Sequence, residues 1–536
     1  MATEDIDARD WMEADAPEIF TERVGELLDA PGDGDSLVER LEDDLWIDFI
    51  ADSGDCAEVS SAVADMVFRP YEVPDGEGTI TAPRGHILLF GGDTAYPVAT
   101  ELEVHNRVCV PFNKILRDRL DGQPRVLLGI PGNHDWYDGL DGFARMFRAR
   151  SGKVDRASIV TADRVDPNTQ LGKVIDWVEA FRVGHHVAKR PTLPLFGYDP
   201  VQRSSYWCLR LAPGLDIWGV DRQLRAVNYR QRQFFLEHRN DCPDAATILV
   251  ISDPAFAHLT DNPIGQRILQ ALGIEIERDE PLILTGDIHH YCRQSFGRAM
   301  HVIAGGGGAF LHPARIARKG FDAPEAEFPG PRSSLALAMQ VPWQIAGGRA
   351  GFVVHVALAL LYLPILGSFL AGSDGSVVAT LVALFGTVAC AMLGGWRQRH
   401  AYLILTLAFL TGAWVGGLPF LIFHAVRLLA SGRLGATAQA FVAYGASIYP
   451  AVLGFGAFLM ALTILGLEHN QAFSSLAHPG YKHFLRLRVR RDGSAVDGWV
   501  LGKIDTLDPK AEIVLVDRFT WNNPRHRGAD DAATTR

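Results

Sequence analysis

Residues 86–96 read HILLFGGDTAY and residues 125–135 read RVLLGIPGNHD. In each stretch a short apolar run is followed at once by glycine and then by polar residues. Such runs, bounded by turn residues, are typical of buried strands rather than helices. Both stretches therefore predict a strand of an α/β sheet, with Asp93 and Asn133-His134-Asp135 just beyond the strand ends.

The same pattern recurs along the first two thirds of the chain. It is found in WIDFIADSGD (46–55), TILVISDP (247–254), PLILTGDIHH (281–290) and HVIAGGGGAF (301–310). Helical stretches such as 98–120 and 226–240 lie between these runs. We therefore predict an α/β domain over 46–345, with an insertion at about 141–200 and an acidic, helical segment at 1–45. Polar residues at strand ends can meet at the carboxyl edge of such a sheet, where ligands bind.

Composition narrows the possible functions. A chain of 536 residues is too long for one ordinary core, so at least two folding units are expected. A net charge of −12 argues against a nucleic-acid partner, which would require a basic face. The six cysteines are scattered without a CxxC pair, which excludes a disulfide framework and a cysteine-rich zinc site. The acidic N-terminus does not resemble a signal peptide.

The hydropathy changes sharply after residue 350. Four nearly uncharged apolar stretches follow, at 351–372, 376–396, 401–424 and about 440–467. Each has the length of a membrane-crossing helix. Four in succession, separated by short loops, favour a transmembrane bundle over buried helices of a large soluble domain. The chain is thus predicted to be a multi-pass integral membrane protein.

The distribution of basic residues predicts its orientation. Arg397 and Arg399 follow the second stretch, and a cluster from Lys482 to Arg491 follows the fourth, whereas Arg427 and Arg433 lie on the other side. The majority places the α/β domain in the cytoplasm. The last segment, 469–536, is predicted to be a cytoplasmic, β-rich tail with a disordered end. Its FLRLRVRRDG stretch reads as a strand and EIVLVD (512–517) as another, either in a small sheet packed on the α/β domain or with the arginines toward anionic lipid.

Taken in order, the strand-end motifs resemble those of the calcineurin-like metallophosphoesterase superfamily. Gly92-Asp93-Thr94-Ala95-Tyr96 corresponds to GDxx(D/Y), Gly132-Asn133-His134-Asp135 to GNH(D/E), and Gly286-Asp287-Ile288-His289 to GHxH. The first motif, Asp52-Ser53-Gly54, is the D-x-G of purple acid phosphatases, in which a tyrosine replaces the missing histidine. Tyr96 has that position. The C-terminal spans also resemble a membrane-bound subgroup. The resemblance implies a two-sheet α/β/β/α sandwich.

The resemblance also implies residue roles. Asp93 would bridge two metal ions, with Asp52, Tyr96 and His289 completing the first site and Asn133 serving the second. His134 would not bind metal but would lie beside the scissile bond and protonate the leaving group. Two ions, from among Mn, Fe, Mg and Zn, would activate a hydroxide and stabilise the leaving oxygen.

The sequence departs from the family pattern at the second metal. Ser252-Asp253-Pro254 stands where a histidine is expected, and Asp287 replaces the histidine of the last motif. Either Asp287, or less readily Asp253, makes an oxygen-rich site that suits Mn²⁺ or Mg²⁺, or His258 or His290 moves in, or the second site is weak or empty. His312 is a further candidate for the pocket lining.

The function expected from these patterns is a membrane-anchored, metal-dependent phosphoesterase that hydrolyses a phosphomonoester or phosphodiester. The membrane anchor motivates a narrower expectation, a lipid-linked or membrane-proximal substrate. The alternative is a degenerate sensor or scaffold attached to a functional membrane bundle. The missing histidines favour the alternative, and the joint presence of Asp52, Asp93, Tyr96, Asn133, His134 and His289 favours the enzyme.

Overall fold

A computed structural model describes ten stretches of the chain. They are residues 13–149, 160–162, 190–224, 226–258, 260–316, 323–349, 351–395, 400–468, 470–476 and 478–526. Three expectations fall outside them, namely the disordered end, most of the insertion at 141–200, and the loop that carries Arg397 and Arg399.

The described strands and helices follow in chain order. The strands are β1 (Leu45–Ile50), β2 (Tyr71–Asp75), β3 (Gly78–Ala82), β4 (Ile87–Phe90), β5 (Val126–Gly129), β6 (Asp199–Pro200), β7 (Trp207–Ala212), β8 (Leu215–Val220), β9 (Ala246–Ile251), β10 (Phe256–Ala257), β11 (Thr260–Asp261), β12 (Leu282–Thr285), β13 (Tyr291–Phe296), β14 (Ala299–Ala304), β15 (Ala326–Phe328), β16 (Lys482–Val489), β17 (Ala495–Lys503) and β18 (Val514–Asn522). The helices are α1 (Pro17–Leu27), α2 (Leu37–Leu41), α3 (Ala57–Val67), α4 (Glu101–Val104), α5 (Val110–Arg117), α6 (Asn133–Trp136), α7 (Asp141–Phe147), α8 (Tyr229–Asp241), α9 (Pro263–Leu272), α10 (Ile276–Asp279), α11 (Pro331–Ala346), α12 (Val353–Leu370), α13 (Ser376–Leu393), α14 (Ala401–Leu429), α15 (Ala436–Ile464) and α16 (Gln471–Leu476), with a π-helical turn, His105–Cys109, between α4 and α5.

The soluble part is built on two seven-stranded sheets. Their strand orders are β18-β17-β16-β1-β4-β5-β6 and β15-β13-β14-β12-β9-β8-β7. One apolar core contains side chains of both sheets, among them Ile47 and Leu89 from the first and Ile248 and Leu284 from the second. Side chains on the opposite faces pack against helices, those of α3 and α5 on the first sheet and those of α8 and α9 on the second. Burial on both faces explains why the strands read as continuous apolar runs. The predicted mixed α/β architecture is confirmed.

The C-terminal tail extends the first sheet. Strand β16 pairs antiparallel with β1, so that Asp48 lies opposite Arg486, and β17 and β18 follow outward. The tail was predicted to form a small sheet of its own with a second strand at 512–517. It instead supplies three strands of the main sheet, and its last strand begins at Val514. Local alternation predicts a strand but not its partner, which here lies more than 400 residues away.

The tail arginines face carboxylates within this sheet. Arg486 is completely buried and its Nε lies 2.6 Å from Asp48 Oδ1. Arg488 Nη2 lies 2.7 Å from Asp497 Oδ2. These two arginines therefore do not contact lipid.

Four long apolar helices, α12 to α15, form the second folding unit. All four are long and apolar enough to cross a membrane, as predicted. The third runs on to Leu429, beyond the expected 424, and the fourth begins at Ala436, before the expected 440. Their packed side chains form a separate core, whereas large apolar side chains such as Phe385 and Leu428 point outward. Such an apolar exterior suits a lipid environment.

Helix α11 belongs to this bundle rather than to the α/β part. Ala338, Val341 and Ile345 are buried in the core of the bundle. On its other side Met339 and Trp343 are exposed, the latter by 63%. Residues of this helix, which the prediction places within 46–345, therefore pack with the apolar helices.

The sheet also constrains the membrane topology. Strand β1 precedes the four apolar helices and β16 follows them, yet the two are hydrogen-bonded neighbours. Both must therefore lie on one side of a bilayer. Four crossings, an even number, satisfy this requirement.

We expect the full chain to behave as an integral membrane protein on extraction. After an alkaline carbonate wash of isolated membranes it should remain in the pellet, because about 20 apolar residues per helix stay in the hydrocarbon. A nonionic detergent should then release it. A peripheral protein of the same membranes, followed by immunoblot as the control, should leave with the wash. Release of the chain by carbonate alone would contradict the transmembrane assignment.

Candidate functional site

The candidate site lies where strands of both sheets end. Asp52 follows β1, Asp93 follows β4, and Asp287 follows β12. Each of these three aspartates has a positive φ, between 45° and 62°. This left-handed conformation is uncommon for residues other than glycine and concentrates at functional sites. Three strand ends thus turn carboxylates sharply toward one place.

Tyr96 lies at the centre of the predicted first metal site. Its Oη is 2.8 Å from Asp52 Oδ1 and 3.2 Å from Asp93 Oδ2. The same oxygen is 2.9 Å from His289 Nε2. All four side chains that the resemblance assigns to the first site therefore converge.

His289 is held with one ring nitrogen free to act as a ligand. Its Nδ1 lies 2.7 Å from the carbonyl oxygen of Phe310, to which it can only donate. The lone pair on Nε2 then points toward Tyr96 and Asp52. A backbone carbonyl that fixes the tautomer in this way is typical of metal-binding histidines. His312 supports the arrangement, since its Nδ1 accepts the backbone N–H of His289 at 3.0 Å.

The site gathers the carboxyl groups of Asp52, Asp93 and Asp287 away from bulk water. The pKa of Asp52 is well above its usual range, because burial and the nearby Asp287 both disfavour its charged form. Burial likewise raises the pKa values of Asp93 and Asp287. Burial, and then the charge of Lys482, lower the pKa of His289 to about 4, which keeps its ring neutral. Buried carboxylates beside a neutral imidazole and a phenol fit a divalent cation.

Glycines make room for these carboxylates. A Cβ on Gly132 would lie 2.1 Å from Asp93 Oδ1, and one on Gly286 would lie 2.5 Å from Asp52 Oδ2. A Cβ on Gly305 would lie 2.7 Å from the same Asp52 oxygen. The loop that begins at Gly305 therefore packs closely behind the site.

The turn at residues 132–135 holds the carboxylate of Asp93 in place and orients the ring of His134. The backbone N–H of His134 donates to Asp93 Oδ1 at 2.8 Å. Its ring Nδ1 lies 2.6 Å from the carbonyl oxygen of Pro97, so Nε2 is the nitrogen left for substrate. Asp135 accepts the N–H of Gly132 at 2.9 Å and thus caps the turn.

A cavity of about 450 Å³ adjoins these residues. Its lining consists of Asn133, Tyr137, Arg222, Leu224, Asp253, Asn262, Ile264 and Asp287. The cavity therefore brings together the three oxygen ligands considered for the second metal ion, Asn133, Asp253 and Asp287. Neither His258 nor His290 lines this cavity; their rings lie 5.6 Å from each other.

Two cationic residues of the site escaped the sequence analysis. Arg222 lies just beyond β8; its Nε is 2.5 Å from Asp253 Oδ2, and its Nη2 donates to Asn133 Oδ1 at 3.0 Å. The feature of the sequence that could have revealed Arg222 is its position directly after the apolar strand β8. Lys482 begins β16 and is completely buried. Burial lowers its pKa to about 7, whereas the negative charges of Asp55 and Asp52 act to raise it.

A separate cluster of possible metal ligands lies on the second sheet. Cys208, Asp216 and His238 are buried, with one ligand atom of each within 4.8 Å of the others. His238 Nε2 is already 2.8 Å from Asp216 Oδ2. This cluster is remote in sequence from the strand-end motifs and shares no residue with them.

Comparison with known proteins identifies no family. No protein-family model and no curated protein matches the chain. A solved structure described as "GAP50 the anchor in the inner membrane complex of Plasmodium" is similar over 53% of this chain and 78% of that one, with 9% sequence identity and a TM-score of 0.32. A TM-score this low does not establish a shared fold.

Proposed function

We propose that this protein is a membrane-anchored, metal-dependent phosphoesterase with a calcineurin-like catalytic domain. The observation that carries the proposal is the convergence of Asp52, Asp93, Tyr96 and His289 on one point, with His289 Nε2 directed at it. These residues come from three separate parts of the chain. Together they provide the oxygen-rich ligand set with one imidazole that a hard or borderline divalent cation prefers.

A cation held by these residues would supply positive charge at the phosphate and a hydroxide at neutral pH. The protein's own residues hold the reacting groups in position. Asp93 is fixed by two neighbours, the backbone N–H of His134 and Tyr96 Oη. His134, with Nδ1 engaged by the carbonyl of Pro97, can hold and release a proton only at Nε2. That proton is suited to the departing alkoxide of a phosphoester.

The imidazole of His134 is expected to contribute to turnover but not to metal binding. A His134→Gln variant should lower kcat by about 10²–10⁴-fold, the usual effect of a general acid. Its metal content, measured by mass spectrometry of the purified protein, should match the wild type. His526→Gln, which removes an exposed imidazole near the C-terminus, is the control and should change neither. Wild-type turnover in His134→Gln would reject the proposed role.

The substrate is proposed to be a lipid-linked or membrane-proximal phosphate, because the catalytic domain is tethered to a transmembrane bundle. The catalytic domain is proposed to face the cytoplasm, on the basis of the basic residues that flank the spans. Hydrolysis of lipid phosphates in mixed micelles, set against soluble nucleotides, tests the substrate class. Turnover of nucleotides alone would remove the lipid proposal and leave the phosphoesterase in place.

The rival function is a degenerate sensor or scaffold. Asp253 and Asp287 at positions where the family has histidines are the observation in its favour. Metal content, measured together with hydrolysis of an aryl phosphomonoester and a bis-aryl phosphodiester with and without Mn²⁺, separates the two. Turnover supports the enzyme, whereas a metal-free protein that hydrolyses neither substrate supports the sensor.

A further inference from the structure

Arg222 occupies an unusual place for an arginine. It follows β8 of the second sheet and is only 4% exposed, although it lines the cavity beside the metal site. Its guanidinium reaches Asp253 Oδ2 at 2.5 Å and Asn133 Oδ1 at 3.0 Å. Asp253 is itself only 2% exposed. A permanent cation is thus placed between a residue from the first sheet's edge and one from the second.

The oxygens that Arg222 contacts are those a second metal would need. Asn133 is the second-site ligand implied by the family resemblance, and Asp253 and Asp287 lie where the two missing histidines would be. Asn133 Oδ1 accepts an N–H from Arg222 and cannot direct the same lone pair to a metal, and the charge of Asp253 is already paired with the guanidinium. A divalent ion next to a buried guanidinium would also experience strong repulsion, because the interior screens charges poorly.

We infer that the Arg222 guanidinium takes the place of the second metal ion, so that this centre binds a single metal and holds the phosphate with an arginine. The phosphate part of the inference rests on the proposed function. Nη1 of Arg222 takes part in neither contact described above. A planar guanidinium presents several donors in a fork that matches phosphate oxygens, so one group can neutralise the carboxylates and bind the substrate. The oxygen-rich second site that the sequence suggested would then be an arginine site.

Metal stoichiometry tests the inference without reference to activity. The full chain in detergent is saturated with Mn²⁺, and the bound metal is counted by equilibrium dialysis and mass spectrometry. We expect one Mn²⁺ per chain and the electron paramagnetic resonance spectrum of an isolated ion. Two ions per chain with a spin-coupled spectrum would overturn the inference, and so would no bound Mn²⁺.

Variants of Arg222 give the complementary result. Arg222→Ala frees Asn133 and Asp253, which line the cavity together with Asp287, so we expect a second Mn²⁺ per chain and a coupled spectrum. Arg222→Lys keeps the charge and should stay at one. Arg239→Ala is the matched control, since it removes a guanidinium paired with Asp279 at 2.6 Å outside the cavity, and it should also stay at one. A single ion in Arg222→Ala would count against the replacement. The wild-type stoichiometry decides the question if this variant does not fold.

Binding of inorganic phosphate tests the second half. With one Mn²⁺ loaded, Arg222→Ala at limiting metal should bind phosphate at least about tenfold more weakly than wild type, by competition or calorimetry. Equal affinity would overturn the phosphate role. The proposed function and this inference fail separately. One bound ion without turnover of any phosphoester rejects the enzyme but keeps the arginine site, whereas turnover with two ions does the reverse.

Discussion

Replacing Asp52 with asparagine should remove the bound metal and lower phosphoester turnover by at least about 10³-fold, a loss of about 4 kcal/mol of transition-state stabilisation. The carboxylate of Asp52 lies 2.8 Å from Tyr96 Oη and 3.4 Å from His289 Nε2, so it belongs to the centre of the ligand set. An amide keeps the shape but loses the negative charge that holds a cation. Metal content and kcat, measured on one preparation, check both parts of the expectation.

Asp55→Asn is the control for this variant, because Asp55 is an aspartate of the same segment, three residues beyond Asp52. That variant should keep its metal, since Asp55 is not one of the proposed ligands that meet at Tyr96 Oη. If Asp52→Asn retains stoichiometric metal while Asp55→Asn loses it, the motif has been placed three residues too early. Retention in both would remove the proposed metal site.

Replacing Arg486 with alanine should lower the free energy of unfolding of the soluble part by about 3–5 kcal/mol, because it leaves the buried carboxylate of Asp48 without its partner. Arg486 donates to both oxygens of Asp48, at 2.6 and 3.1 Å. It also donates to the backbone carbonyls of Arg69, Ala82 and Val67. One side chain therefore ties the tail strand to the centre of the first sheet.

Urea unfolding of the detergent-solubilised protein provides the measurement. The rings of Trp46 and Trp499 stack with centroids 5.7 Å apart across the same sheet and report its loss through near-ultraviolet circular dichroism. Arg518→Ala serves as the control. Its pair with Asp75 is 3.1 Å long and partly exposed, so the loss should stay below about 1 kcal/mol. Equal effects of the two variants would mean that the tail is not integral to the sheet.

The sequence predicted those parts of the molecule that local patterns determine. Apolar runs ending in Asp52, Asp93 and Asn133 became parallel strands of one sheet, which share a carboxyl edge. The run ending in Asp287 became a strand of the second sheet, and the backbone N–H of Asp287 donates to Asp52 Oδ1 at 3.1 Å. The four spans were also predicted, within a few residues at each end. In both cases the signal lies in consecutive residues, so it does not depend on what the segment packs against.

The features that the sequence did not predict depend on contacts between residues that are far apart along the chain. In the sequence, Arg486 and Arg488 resemble a basic run that faces lipid, because no neighbouring residue in the chain indicates that Asp48 and Asp497 pair with them. Lys482 was counted as a topology signal, yet it lies buried beside the site. The sequence did not single out Arg222, because the family pattern has no cation at this position. Arg222 comes close to Asn133 and Asp253 only where the ends of β5, β8 and β9 meet in the folded domain.

The pairing of β1 with β16 sets an order of events during synthesis. About 430 residues separate the two strands, so at roughly 5–20 residues per second the ribosome needs about 20–90 s to deliver the second after the first. During this interval β1 has an open edge, a hazard for aggregation. All four apolar helices also leave the ribosome before the missing strand does. The sheet can therefore close only after all four apolar helices have been synthesised, so a chain that stops before β16 should leave the α/β domain incomplete and open to proteases.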